Sequence, residues 1–156
     1  MDPGIPIRIL ERRYTIPRRE ALNIKTACMT RQAYLNAGVP VDKLVLGMPF
    51  YGYIYEGVGA AQEGRYSTFS SARSISYNSI KELLNNPAFS SFYHEGAAVP
   101  YLYGNGIFIS YENPRSIGTK AAFARNLGLA GVGIWELSHD SAGELLESAR
   151  AGLIGA

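Results

Sequence analysis

A short apolar run near the end of the chain leads directly into a polar segment. It reads Ala130-Gly-Val-Gly-Ile-Trp-Glu-Leu-Ser-His-Asp140, and Trp135 is the only tryptophan among the 156 residues. Small and β-branched residues in an unbroken apolar run are typical of a strand that is buried on both faces in a parallel sheet. In such sheets the functional groups lie at the C-terminal strand ends and in the loops that follow. The pattern therefore places Trp135 and Glu136 at a candidate site, with core packing as the alternative for the tryptophan.

A second segment has the same construction. Val41-Asp-Lys-Leu-Val-Leu-Gly-Met-Pro-Phe-Tyr-Gly52 predicts an apolar strand over Leu44 to Pro49, followed by an aromatic residue and a glycine. Before it the pattern is helical from Ala21 to a stop at Gly38-Val-Pro40. The residues that share one face of this helix are Ile24, Cys28, Arg31 and Leu35. Because Cys28 is the single cysteine, an internal disulfide is excluded, and its place on the apolar side favours an inert buried thiol.

Turn and cap signals divide the middle of the chain. Asn78 or Ser79 is predicted to cap a short helix. Two tyrosine-rich runs, Ala98 to Tyr103 and Ile107 to Glu112, flank Gly104-Asn-Gly106. This arrangement predicts a β-hairpin, because Asn and Gly tolerate the positive φ angles of a tight turn.

Two further helices are predicted on either side of the Trp135 strand. Asn113 and Pro114 open the first in the favoured manner, with Asn as the cap and Pro at the first helical position, and Gly128 ends it. The pattern Ser141-x-x-Glu144 predicts a capping box for the last helix. The expected order is α, β, an α+β segment, α, β, α.

Composition narrows the class of protein. Hydrophobic residues make up 47% of the chain and the net charge is +2, which argues against disorder and against a nucleic-acid-binding surface. No apolar stretch reaches the roughly 18 residues of a membrane span, and no secretory signal is visible. Residues 1–20 carry arginines among prolines without a clean period and are expected to be an irregular basic leader, with a polyanion-binding arm as the alternative. His94 and His139 lie in no metal-binding pattern, and no cofactor-binding motif is found.

Together these motifs resemble the glycoside hydrolase family 18 chitinases. In that family the seventh strand of a (β/α)8 barrel reads roughly Lys-Leu-Val-Leu-Gly-x-Pro-x-Tyr-Gly-Arg, and the eighth reads Gly-Gly-x-x-x-Trp-Glu and is followed by Asp. Between them lie an inserted α+β domain and a helix that often opens with Pro-x-Ser-Ile-x-x-Lys. The counterparts here are Lys43 to Gly52, Pro114-Arg-Ser-Ile-Gly-Thr-Lys120, and Gly131 to Asp140.

The resemblance implies the fold class and its organisation. We expect an α/β fold that is the C-terminal part of a (β/α)8 TIM barrel with an inserted α+β domain, since a complete barrel needs roughly 250 residues. The expected divisions are the leader at 1–20, a barrel helix and strand at 21–53, the insertion at 54–112, and the last barrel helix, strand and helix at 113–156.

The resemblance also implies roles for four residues. Trp135 matches the tryptophan that lies under the sugar whose bond is cut, and Tyr51 matches a tyrosine that lines the cleft on the seventh strand. Tyr53 stands where the family usually has Arg, so the hydrogen bonds of that guanidinium are lost. Glu136 matches a carboxylate that some members carry beside the tryptophan. The alternative for Glu136 is an outward side chain that binds a backbone group or an arginine.

The catalytic signature of the family is missing. That signature is Asp-x-x-Asp-x-Asp-x-Glu, whose Glu is the general acid, and the chain has only three aspartates, at Asp2, Asp42 and Asp140. The Met-x-Tyr-Asp motif of the sixth strand is absent too. No catalytic residue is therefore assigned, and none of the other carboxylates considered has an Asp at a helpful spacing. These carboxylates are Glu56, Glu112 and Glu136.

The function expected from the resemblance is that of a chitinase-like glycoside hydrolase portion, which supplies aromatic residues that bind β-1,4-linked N-acetylglucosamine polymers. The alternatives are a non-catalytic, lectin-like carbohydrate-binding protein and an inactive truncated gene product. The expected ligand is chitin or a chitooligosaccharide, and a full-length parent is expected to be extracellular. Two barrel strands would have open edges, which favours self-association of the chain.

Overall fold

The computed structural model describes residues 23–155, and the side chains of residues 29–155. The predicted leader at 1–20, the start of the first helix at Ala21 and the side chain of Cys28 lie outside the described residues. The helices are α1 Asn23–Asn36, α2 Tyr77–Leu84, α3 Pro114–Asn126 and α4 Glu144–Ile154. The strands are β1 Val45–Pro49, β2 Tyr51–Glu56, β3 Ser71–Ser76, β4 Ser90–His94, β5 Val99–Gly104, β6 Ile107–Ser110 and β7 Gly131–Trp135. Across residues 23–155, none of the helices has the length and apolar content that crossing a bilayer requires.

The first and last strands form a parallel pair. β1 lies beside β7 in register, with Val45 opposite Gly131 and Pro49 opposite Trp135. Within residues 23–155 these two strands pair only with each other. This confirms the predicted parallel arrangement of two strands that are far apart in sequence, and it leaves an outer edge on each strand without a partner in the described part of the chain.

The remaining strands form an antiparallel sheet in the order β3-β2-β6-β5-β4. The predicted hairpin is present: β5 and β6 pair across a turn in which Asn105 and Gly106 have φ of 50° and 72°. The chain enters this sheet on β2 and leaves it on β6. These two strands are antiparallel neighbours, with Tyr53 opposite Ser110. Entry and exit are therefore adjacent in space.

The start of α3 agrees with the sequence prediction. The Asn113 side chain accepts a hydrogen bond from the Ser116 N–H at 2.9 Å, and the Ser116 hydroxyl oxygen accepts one from the Asn113 N–H at 2.9 Å. Pro114 occupies the first turn. Two free N–H groups at the helix start are thereby satisfied.

The caps of α2 and α4 differ from the prediction. The cap of α2 is Ser76, whose hydroxyl oxygen accepts from the Ser79 N–H at 3.2 Å, and is neither Asn78 nor Ser79. The predicted capping box between Ser141 and Glu144 does not form, because the residue before α4 is Gly143 in a left-handed conformation.

The buried carboxylate of Asp140 supplies the α4 cap instead. It accepts hydrogen bonds from the N–H groups of Glu144 at 3.1 Å, Leu145 at 2.9 Å and Leu146 at 2.9 Å. A negative charge at this end also interacts favourably with the helix dipole. Asp140 therefore has a structural role in this fold.

One hydrophobic core joins the two sheets to α3 and α4. Leu46, Val132 and Ile134 of the parallel pair pack against this core from one side. A second cluster on the antiparallel sheet is mainly aromatic. The buried residues of the main core are Met48, Phe50, Ile54, Tyr77, Ile80, Leu102, Ile109, Tyr111, Ile117, Ala121, Leu145 and Ala149. Those of the second cluster are Val58, Tyr101 and Phe108.

Within residues 23–155 the Trp135 strand packs against the core on one face and not on both, contrary to the expectation from its sequence. Side chains alternate between the faces of a strand, and only the face with Val132 and Ile134 packs on the core. On the other face Gly133 is exposed and Trp135 is 70% exposed. The helices cover one side of the pair, and the described residues provide no layer over the other.

Candidate functional site

Trp135 stands at the C-terminal end of β7 on the open face of the parallel pair. The register places Gly47 opposite Gly133 and Pro49 opposite Trp135, so the positions around the indole on this face carry small side chains. The Trp135 carbonyl accepts a hydrogen bond from the Phe50 N–H at 2.8 Å. The peptide bond from Trp135 to Glu136 is cis. The structure thus presents an indole that is fixed at its backbone and exposed at its ring.

Tyr51 and Tyr53 lie next to each other on β2. Their rings are half-buried and make an edge contact, with centroids 5.9 Å apart and planes at 71°. The sequence analysis placed Tyr51 on the barrel strand, but the structure places both residues in the antiparallel sheet. Because Tyr51 follows Phe50, which is hydrogen-bonded to Trp135, it begins that sheet beside the end of β7.

The two tyrosines continue into a ladder of aromatic rings. Tyr53 meets Tyr55 at 6.2 Å, and Tyr55 meets Phe69 at 5.0 Å and Phe108 at 6.2 Å between ring centroids. Offset and edge arrangements of this kind stabilise aromatic pairs by about 0.5–1.5 kcal/mol. The half-buried end of the row, Tyr51 and Tyr53, therefore packs against this aromatic cluster.

Glu136 belongs to a polar cluster in the turn that follows Trp135. One carboxylate oxygen, Oε1, accepts a hydrogen bond from the Ser138 hydroxyl and lies 3.5 Å from His139 Nε2. These partners are neither a backbone group nor an arginine, the two that the sequence suggested.

His139 connects this cluster to the tyrosines. Its ring meets Tyr51 edge-on at 6.4 Å, with the planes at 83°. Its Nδ1 atom is buried and has no hydrogen-bond partner among the described residues. Sequence reasoning weighed His139 only as a metal ligand, and the spacing of three residues from Glu136 was the signal that could have linked the two.

The other carboxylates considered for catalysis are occupied elsewhere. Glu112 is 5% exposed and forms an ion pair with Lys120, which is 7% exposed. Glu56 accepts a hydrogen bond from the Ser71 hydroxyl at 2.8 Å. A general acid needs a pKa raised towards neutrality. Glu144 is a further carboxylate of the chain, and it does not meet this requirement because a hydrogen bond from Lys81 lowers its pKa.

Two buried tyrosines have a raised pKa. Burial, followed by the nearby Glu144 carboxylate, raises the pKa of Tyr77 above the usual range. Burial also raises the pKa of Tyr111 to about 12. At neutral pH both phenols therefore remain hydrogen-bond donors and carry no charge into the core.

Among residues 29–155, no three His, Cys, Asp or Glu side chains come together as a metal site.

Comparison with known proteins identifies relatives of this arrangement. A profile of the family described as Glycosyl hydrolases family 18 matches residues 14–140. The match begins within residues 1–20, the segment that the sequence pattern predicted to be an irregular leader. Chitinase A1 from Niallia circulans is 38% identical over 120 residues, which are 70% of this chain and 17% of that protein.

Two solved structures share the fold and part of the sequence. A glycoside hydrolase family 18 N-acetylglucosaminidase from Paenibacillus barengoltzii matches with a TM-score of 0.76 at 28% identity, over 81% of this chain and 38% of that one. A class V chitinase from Nicotiana tobaccum, in complex with NAG4, matches with a TM-score of 0.73 at 27% identity, over 79% of this chain and 38% of that one. The chain therefore spans well under two thirds of the length of these relatives.

Proposed function

The chain belongs to glycosyl hydrolase family 18, and from that premise we propose that it forms the sugar-binding side of a chitinase-type cleft. Its ligand is a β-1,4-linked N-acetylglucosamine polymer, chitin or a chitooligosaccharide. Trp135, Tyr51, Tyr53 and Glu136 are the residues proposed to bind it. The observation that carries the proposal is the exposed indole of Trp135, whose neighbouring positions on the same face are Gly133, Gly47 and Pro49.

The chemistry of the ligand fits that surface. N-acetylglucosamine rings have apolar C–H faces bordered by hydroxyl groups, and an indole that lies flat against such a face removes about 100 Å² of apolar surface from water. At about 25 cal/mol per Å², this contributes about 2–3 kcal/mol. The small residues beside Trp135 leave room for a ring to approach.

The neighbouring polar groups complete the surface. The hydroxyls of Tyr51 and Tyr53 and the carboxylate of Glu136 can bind sugar hydroxyl or amide groups at the edge of the stacked ring. Because Tyr53 replaces the usual arginine, this edge lacks the fixed five-donor fork of a guanidinium. We propose a contact that depends more on stacking than on charge.

We propose no hydrolysis by this chain alone. Family 18 cleavage is substrate-assisted and needs a positioned Glu together with an Asp that orients the acetamide. The three aspartates of the sequence cannot form the Asp-x-x-Asp-x-Asp-x-Glu signature. This absence also supports the second candidate, a lectin-like protein that binds the same sugars without cutting them.

Titration calorimetry with chitotetraose tests the binding. Trp135→Ala is expected to weaken binding about tenfold or more, and Trp135→Phe much less, because the aromatic plane and not the indole N–H makes the contact. Equal losses for the two variants would show that stacking is not the interaction. Turnover of a fluorogenic chitobioside that is abolished by Glu136→Gln would overturn the non-catalytic part of the proposal.

A further inference from the structure

One side chain of helix α2, that of Asn78, binds the loop that follows Trp135. This loop, residues 136–143, is here called the Trp135 loop. The Asn78 amide nitrogen donates to the Ser138 carbonyl at 2.9 Å. The Asn78 amide oxygen accepts from the Ser141 N–H at 2.9 Å and from the Ser141 hydroxyl at 3.0 Å. Both ends of the amide thus bind the loop, mainly at its backbone.

These contacts are separate from the formation of α2 itself. Asn78 lies in the first turn of α2, where its side chain could have capped the helix. Ser76 already performs that task through the Ser79 N–H. The Asn78 amide instead reaches residues that are 60 or more positions away in sequence.

Two other residues of α2 bind beyond the loop. The Tyr77 hydroxyl donates to Glu144 Oε2 at 3.2 Å, and Lys81 Nζ lies 2.5 Å from Glu144 Oε1. Glu144 is the first residue of α4. Tyr77 and Lys81 therefore hold the helix, and Asn78 is the member of this helix face that binds the Trp135 loop directly.

The loop carries the polar groups beside the indole. Ser138, whose carbonyl Asn78 binds, donates its hydroxyl to Glu136. His139 lies beside the same carboxylate and against the ring of Tyr51. Through His139 the loop is therefore in contact with both the Glu136 carboxylate and the ring of Tyr51.

We propose that Asn78 is a positioning residue for sugar binding. By holding the Ser138 carbonyl and Ser141 at one fixed separation, it keeps the Trp135 loop in the conformation that presents the indole and Tyr51 to the same ligand. Asn78 itself need not touch the sugar. This role rests on the proposed function, since it is a role in carbohydrate binding.

The single tryptophan makes the test direct, because fluorescence excited beyond the tyrosine absorption reports on Trp135 alone. The variants are Asn78→Ala, which removes both halves of the contact, and Asn78→Asp, which removes the donor to Ser138 and keeps an acceptor for Ser141. Lys81→Met is the matched control, because it removes a contact of the same helix to Glu144 and leaves Asn78 intact. Each full-length variant is measured for Trp135 anisotropy, for chitotetraose affinity and for melting temperature.

We expect Asn78→Ala to lower the anisotropy of Trp135 and to weaken chitotetraose binding about tenfold, with Asn78→Asp in between and Lys81→Met close to wild type. The melting temperatures of Asn78→Ala and Lys81→Met should remain similar. If wild type binds and Asn78→Ala keeps wild-type anisotropy and affinity, or if Lys81→Met shifts both equally, the role of Asn78 is overturned alone. If wild type does not bind chitotetraose, the proposed function fails and this role fails with it.

Discussion

The antiparallel sheet and the parallel pair differ in how far each covers its own side chains. Leu102 and Phe108, on the two strands of the hairpin, are fully buried, whereas Val45 on β1 is 56% exposed and Trp135 on β7 is 70% exposed. Antiparallel strands joined by short turns obtain their neighbours from the adjacent sequence. Parallel strands depend on distant segments, and within residues 23–155 β1 and β7 have only each other. Of these two regions, the one expected to bind ligand is thus the one that the described chain covers less.

The largest loss of stability is expected when the buried ion pair between the two regions, Glu112–Lys120, is broken. Glu112 follows β6, and Lys120 lies on α3, which packs against the parallel pair. Lys120→Met should lower the free energy of unfolding by about 3–5 kcal/mol, because it leaves a buried carboxylate without its counter-charge. Urea denaturation measures this change.

An exposed ion pair provides the control for that measurement. Arg150 and Glu147 form a pair whose side chains are 58% and 62% exposed. Arg150→Met should change stability by at most about 1 kcal/mol. Equal costs for the buried and the exposed pair would mean that the junction between the two regions is not as dry as the structure indicates.

The next prediction compares the loss of stability on replacing one glycine of each region by alanine. A Cβ at Gly104 in the hairpin would lie 1.8 Å from the Ala88 carbonyl oxygen, whereas one at Gly133 on β7 would meet only the Val45 Cγ1 atom, at 3.3 Å. Gly104→Ala should therefore destabilise the protein by about 3 kcal/mol or more, because backbone has to move. Gly133→Ala should change stability by at most about 1 kcal/mol in either direction. Thermal melting of the two variants would contradict the comparison if Gly133→Ala proved the more damaging.

Self-association should follow from the strand edges of the parallel pair that have no partner within residues 23–155. Apolar strands with unpaired N–H and C=O groups tend to pair with another copy. We expect the apparent mass in size-exclusion chromatography with light scattering to rise with concentration, and Val45→Lys to reduce that rise. Met29→Lys, at a 66% exposed position on α1, controls for added charge alone. A sharp monomer peak with cooperative melting of the wild type would show that the chain closes its own sheet.

The smallest expected effect is the change of melting temperature with pH that comes from the contact between Lys81 on α2 and Glu144 on α4. The hydrogen bond from Lys81 lowers the pKa of Glu144 in the folded state. The contribution of the Lys81–Glu144 contact to the free energy of unfolding is therefore fully present above the ordinary pKa of a glutamate, and it is lost as the pH falls through the lowered value. Wild type and Lys81→Met should differ slightly in melting temperature near neutral pH and converge in acid. Since both side chains are partly exposed, salt at about 1 M should remove most of the difference.

Local signals in the sequence predicted local structure well. The Asn and Gly of the β5–β6 turn and the Asn113 cap depend on backbone preferences of a few neighbouring residues, and the structure has both. The two apolar strands were also recognisable, because their residue types suit a parallel pair.

Long-range contacts were not predictable in the same way. Asp140 caps α4 across a left-handed turn at Gly143, which no spacing rule for capping boxes describes. Asn78 finds its partners far along the chain, so its local role as a helix cap was the wrong assignment. Exposure of Trp135 depends on which layers cover β7, and a strand pattern alone carries no such information.

The adjacency of β2 and β6 has a consequence for how this protein changes over evolutionary time. Because Tyr53 and Ser110 face each other where the chain enters and leaves the antiparallel sheet, the backbone enters and leaves the segment between them on two adjacent strands. Insertions, deletions or replacement within such a segment leave the path of the flanking chain unchanged. Length variation among relatives should therefore concentrate between Glu56 and Ile107, in turns that lie outside the core that the sheet shares with α3 and α4.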